Sequence, residues 1–90
     1  MTARPYRTTS VFDEASLPAA LRRDHSTKSG VWGVIRVLEG RLRLETEAGE
    51  ARVLTPEAPG LVRPEERHRV EPEGPMRMQV EFYASPPPPA

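Results

Sequence analysis

Apolar and polar residues alternate along much of the second half of the chain. The clearest example is the segment 76–83, in which every second position is apolar: Met76, Met78, Val80 and Phe82. Successive side chains of a β-strand point to opposite faces, so this period predicts a strand with one buried face. Further short strands are predicted in the runs 6–12, 31–38, 41–46, 50–54, 60–63 and 67–71.

Turn-forming residues separate these runs. Two residues, Glu39 and Gly40, lie between the run 31–38 and the next run, which predicts a β-hairpin with a tight turn. Ala48 and Gly49 predict the following turn. Gly33 lies in the middle of a strand, which indicates a bulge or a close approach of another backbone.

Helical signals are confined to one place. Ser16 is a candidate N-cap, Pro18 suits the start of a helix, and the residues after it favour one or two helical turns within 16–24. Seven short strands at roughly ten-residue spacing predict an all-β fold. The expected structure is a single-domain antiparallel β-barrel or sandwich with at most one short helix.

The apolar positions of the strands predict the core. They are Trp32, Val34, Leu42, Leu44, Val53, Val62, Val70, Met78, Val80 and Phe82.

Composition narrows the possibilities. A chain of 90 residues indicates one small domain, assigned to residues 1–85, followed by a proline-rich tail at 86–90. Thirteen basic and thirteen acidic residues give zero net charge, which argues against a nucleic-acid partner. No stretch approaches the roughly 20 apolar residues of a membrane span, and no signal peptide precedes the domain, so a cytoplasmic location is expected.

Charge is unevenly placed along the chain. Residues 1–44 carry eight basic and four acidic side chains, whereas residues 45–90 carry five and nine. Either the two halves pack together and neutralise each other, or the first half builds a basic face for anions. The absence of Asn and the 11 prolines are typical of thermophilic proteins, although a GC-rich genome would also favour proline.

Two histidines are the main candidates for chemistry. His25 and His68 lie next to predicted strands that a barrel would bring together, and the chain has no cysteine. Imidazoles with a carboxylate can bind Zn, Fe, Ni or Mn, while the alternative is that both rings only form hydrogen bonds. Glu71 is the nearest carboxylate, but strand alternation places it on the face opposite His68 unless a bulge precedes Pro72.

Two further residues are candidate ligand contacts. Lys28, the only lysine, could hold an anion beside the metal or could be an ordinary surface charge. Trp32 could stack on a ligand, line the pocket or belong to the core.

Three blocks resemble a known family. The run from His25 to Gly40, the segment 64–71 and the segment 80–83 are similar to those of the TehB-like tellurite-resistance domains, a small cupin family. The resemblance extends from Tyr6 to Tyr83 and implies a cupin-type barrel. In that family the domain occurs alone or ahead of a methyltransferase, and the stand-alone form is expected here.

The resemblance also implies a depleted metal site. Cupins usually place a His-x-His pair and a Glu before a turn glycine, here Gly40, but this sequence has only His25, and the Glu position falls near Gly33. The second motif, a proline followed by a histidine, matches Pro64 and His68. One or two of the usual four ligands are therefore missing.

Three functions follow as hypotheses. The first is a metal-binding cupin that handles a small anionic ligand in tellurite, oxyanion or oxidative stress, with His25, His68 and Glu71 on the metal and Lys28 and Trp32 on the ligand. The second is a ligand-binding or interaction module without metal. The third is a cupin-type enzyme such as an isomerase or dioxygenase, which needs a proton-transfer group. Pairing through sheet edges would make the protein a homodimer.

Overall fold

A computed structural model describes residues 4–87 of the chain, which form eight short strands and one turn of 3-10 helix at Ala19–Arg22. The strands are β1 (Arg7–Thr8), β2 (Phe12–Asp13), β3 (Trp32–Glu39), β4 (Leu42–Thr46), β5 (Ala51–Leu54), β6 (Gly60–Val62), β7 (His68–Pro72) and β8 (Arg77–Tyr83). The predicted all-β fold is confirmed, and the helical turn lies within the predicted range. The last three residues of the proline-rich tail lie outside the described residues.

Two antiparallel sheets pack face to face. The large sheet has the order β1-β8-β3-β6, and β2 also pairs with β8. The small sheet has the order β5-β4-β7. Strand alternation turns one face of each sheet inward, so the apolar side chains of both sheets meet in a single core.

The core contains most of the predicted residues. Its buried members are Leu17, Ile35, Val37, Leu42, Leu44, Leu54, Val62, Val70, Met76, Met78 and Val80. Val34 is buried on the opposite face of β3, while Trp32 and Phe82 are half-buried. The prediction for Val53 is wrong: its side chain is 38% exposed. Val53 stands opposite Arg43 on the outer face, and Leu54 occupies the inner position opposite Leu42.

The connection at Gly40 is not the predicted hairpin. Among the described strands, β3 pairs with β6 and β8, whereas β4 pairs with β5 and β7, so the chain passes here from one sheet to the other. Gly40 has φ +76°, and a Cβ atom on it would lie 2.2 Å from the carbonyl oxygen of Pro75. Only glycine allows both this backbone conformation and this close approach. The following turn is a hairpin as predicted, because β4 pairs with β5 across Gly49.

Ion pairs join the two halves of the sequence. Arg22, Arg36 and Arg41 pair with Glu71, Glu81 and Glu73, respectively. Each of these three pairs joins a basic residue of the first half to an acidic residue of the second half. Within residues 4–87, no helix is long and apolar enough to span a membrane.

Candidate functional site

A cavity of about 230 Å³ opens between the two sheets. Strands of both sheets form most of its wall, through Ile35, Val62, Val70, Met78, Val80 and Phe82. The segment around the 3-10 turn covers another side with Pro18, Ala20 and Leu21. Nearly all of this lining is apolar, so the cavity suits a small molecule with a hydrocarbon body.

The missing side chain of Gly33 provides part of this space. Gly33 lies on the inner face of β3 in regular register with Val62 and Phe82, without the expected bulge. A Cβ atom here would meet only ordinary neighbours, the nearest being Cβ of Val62 at 3.7 Å, so the expected close backbone approach is also absent. The glycine therefore leaves room in the cavity, where larger residues would protrude.

The structure brings His25 and His68 together at the cavity. Their backbones form a β-bridge in which each amide donates to the other carbonyl, at 2.9 Å from His25 and 2.8 Å from His68. Their rings meet edge to face, with 5.4 Å between centroids. Both imidazoles line the cavity wall.

Hydrogen bonding assigns the tautomer of His68. Its Nδ1 lies 3.1 Å from the carbonyl oxygen of Glu66, which can only accept, so Nδ1 carries the proton. In the neutral ring Nε2 then keeps a free lone pair, which can accept a hydrogen bond or bind a metal.

His25 has a buried nitrogen without a partner. Its Nδ1 makes no hydrogen bond within the described part of the chain and is shielded from solvent. Burial, and secondly the neighbouring His68, lowers the pKa of His25 below its ordinary value. The ring is therefore neutral at neutral pH.

Glu71 lies away from the two histidines. The pairing of β4 with β7 runs without interruption from Thr46 opposite His68 to Leu42 opposite Pro72, so no bulge turns Glu71 inward. Its exposed carboxylate pairs with Arg22, which follows the cavity-lining residues of the 3-10 turn. The structure thus joins Glu71 to the turn that covers the cavity.

Lys28 and Trp32 also lie outside the cavity lining. Lys28 is exposed in a turn in which its carbonyl accepts from the amide of Val31. Trp32 is paired with Tyr83 and points to the opposite face of β3 from Gly33. Within residues 4–87, no three His, Asp or Glu side chains cluster closely enough to hold a metal ion together.

The hydroxyl groups of the two threonines in the cavity wall already form hydrogen bonds within the chain. The hydroxyl of Thr9 donates to the Ser10 carbonyl and accepts from the Val80 amide. The hydroxyl of Thr27 donates to the Val31 carbonyl. Among the described lining side chains, Nδ1 of His68 is engaged with the Glu66 carbonyl, so Nε2 of His68 and the ring of His25 are the polar groups left for a ligand. The sequence did not predict that the helical turn forms part of the cavity wall, although Pro18 and Leu21 are apolar residues in or next to that turn.

Comparison with known protein families identifies the family of this chain. A family described as the TehB-like domain matches residues 7–80. The chain belongs to the TehB-like domain family. A curated relative, the probable S-adenosyl-L-methionine-dependent methyltransferase TehB of Haemophilus influenzae, is 36% identical over 72 residues, which cover 73% of this chain and 25% of the relative.

Solved structures show the same fold. The crystal structure of TehB from Haemophilus influenzae has a TM-score of 0.77 and 32% identity, and the match covers 88% of this chain and 30% of that one. This TehB-like domain thus spans less than a third of that relative. A protein of Escherichia coli K12 has a TM-score of 0.83 over 94% of this chain and 93% of its own, and at 18% identity it supports the fold alone.

Proposed function

We propose that this TehB-like domain is a binding module that holds a small molecule in the cavity between its sheets. The observation that carries the proposal is an apolar cavity of about 230 Å³ with two imidazoles in its wall. The apolar wall of this open cavity faces water or empty space, which is a loss of hydrophobic and dispersion energy. A bound apolar molecule recovers much of that loss by restoring contacts.

Binding alone accounts for the described features. Methyl transfer, the activity in the name of the Haemophilus influenzae relative, is not carried over, because the matched part is 25% of that protein. The cavity has an apolar wall and two imidazole rings that can form hydrogen bonds. This combination is typical of a site that recognises a small molecule. This is the ligand-binding module that the sequence suggested as the second hypothesis.

Filling the cavity at Gly33 should weaken ligand binding and leave the chain folded. The backbone at Gly33 accepts a Cβ atom in ordinary contact with its neighbours, and valine is favoured in strands, so Gly33→Val should still fold. We expect its affinity for fluorobenzene, followed by ¹⁹F NMR, to fall at least about tenfold, since displaced ligand volume cannot be recovered in a packed interior.

A matched variant tests the assignment of the cavity. Leu38→Val changes an exposed residue of the same strand and should bind fluorobenzene like the wild type. Gly33→Ala, which adds one carbon, should give an intermediate loss. Undiminished fluorobenzene binding by Gly33→Val would contradict the proposal.

A divalent metal held by His25 and His68 is a second candidate function. One observation favours it: the Nδ1–H of His68 donates to the Glu66 carbonyl, an arrangement that orients Nε2 as metal-bound histidines require. The unpartnered Nδ1 of His25 is a further nitrogen that lacks a ligand or proton acceptor. Zn, Fe, Ni or Mn would suit two imidazoles, with water or ligand oxygen in the other positions, and would supply a Lewis acid there.

The metal candidate can be tested at His68. His68→Asn retains an amide that can donate to the Glu66 carbonyl but lacks Nε2. We expect the variant to bind Zn²⁺ at least about tenfold more weakly than the wild type in calorimetric titration, because one of two protein ligands is lost. Glu71→Gln is the control and should match the wild type, since Glu71 pairs with Arg22. Equal zinc affinity in all three proteins would remove His68 from any metal site.

A further inference from the structure

We propose that the ligand of the cavity is an uncharged molecule about the size of a phenol, which donates a hydroxyl hydrogen bond to Nε2 of His68. This inference rests on the proposed function and adds the chemical class of the ligand. The volume of the cavity, the hydrogen bond of His68 and the charge of the lining residues each support the inference.

The volume limits the ligand to a ring with few substituents. An apolar cavity of about 150 Å³ is enough to bind benzene. The cavity here measures about 230 Å³, which adds room for a few further heavy atoms. A nucleotide is too large to be enclosed by this cavity.

The tautomer of His68 determines the polar group of the ligand. Because Nδ1 donates to the Glu66 carbonyl, Nε2 of the neutral ring is an acceptor. A ligand that offers only acceptors would leave this nitrogen unpaired, whereas a hydroxyl satisfies it. The hydroxyls of Thr9 and Thr27 are engaged with backbone carbonyls and do not compete for it.

Charge argues against an anionic ligand. Among the described lining residues there is no Lys or Arg. The guanidinium of Arg7 lies over the ring of Phe82, 5.9 Å from its centroid, but Arg7 is not part of the lining. A carboxylate in this apolar wall would be buried without a counter-charge, which is strongly unfavourable.

Three fluorinated probes distinguish these properties. The affinities of fluorobenzene, 4-fluorophenol and 4-fluorobenzoate are measured by ¹⁹F NMR at pH 7 in the presence of EDTA, which removes metal. A neutral hydrogen bond should make 4-fluorophenol about fivefold to tenfold tighter than fluorobenzene. The anion 4-fluorobenzoate should bind more weakly than both. Benzoate binding as tight as that of the phenol would overturn the inference in favour of an anion.

The His68→Asn variant locates the hydrogen bond. In this variant the ratio of the affinities for 4-fluorophenol and fluorobenzene should fall to about one, whereas the control Leu38→Val, at an exposed position of β3, keeps the wild-type ratio. A preference retained in His68→Asn, or absent in the wild type, would overturn the inference and leave the binding function standing. Failure of all three probes to bind the wild type would overturn the binding function and this inference together.

Discussion

Replacing Gly40 by alanine should prevent folding or lower the free energy of unfolding by roughly 4 kcal/mol or more, a loss reserved for severe structural conflicts. The new Cβ would lie 2.2 Å from the Pro75 carbonyl oxygen, and backbone atoms cannot move aside as a flexible side chain can. The φ of +76° adds strain for any L-residue. Urea denaturation followed by circular dichroism measures the loss.

Gly49→Ala is the matched control for this result. Gly49 also has positive φ, at +85°, but within residues 4–87 no atom beyond its chain neighbours lies within 4 Å of the added Cβ. Only the backbone strain applies, so we expect a loss of about 1–2 kcal/mol. The difference between the two variants isolates the close approach at the corner between the sheets. Equal losses would show that the contact with Pro75 does not constrain the fold.

Replacing Leu42 by alanine should be the next most destabilising change, at about 3–4 kcal/mol. Leu42 is 0% exposed and packs in the core between the sheets, so its removal leaves a cavity that the surrounding strands cannot fill. The free energy of unfolding in urea measures the effect.

Val53→Ala provides the comparison on the same sheet. Val53 lies next to Leu54 in β5 but faces outward, so its truncation should cost less than about 1 kcal/mol. A loss at Val53 as large as that at Leu42 would mean that the outer face of the small sheet is covered in solution.

Side-chain alternation predicts the strands well where one face alone is apolar. In β8, Met78 and Val80 alternate with polar residues, and both are buried as predicted. In β5, Val53 and Leu54 are adjacent and both apolar, so the period cannot decide which faces inward. The register with β4 decides it, and that register depends on distant residues.

Local signals also fail where distant contacts choose between two outcomes. Glu39-Gly40 is compatible with a tight hairpin and with a corner between sheets, and the contact of Gly40 with Pro75 belongs to the corner. The sequence predicted the proximity of His25 and His68, because both lie next to strands that the expected fold brings together. It did not predict the cavity, because the space of the cavity depends on the absent side chain of Gly33 and on where the 3-10 turn packs.

The attachment of that turn has a consequence for the rate of ligand exchange. No residue of Ala19–Arg22 is buried, its backbone hydrogen bonds are local, and its ion pair from Arg22 to Glu71 is exposed. Leu21 packs partly against the core, but exposed ion pairs contribute little, so we expect the turn to separate from β7 at a fraction of the free energy of global unfolding. We therefore expect a ligand of the cavity to exchange through local opening of this turn, while the strand pairing of both sheets persists.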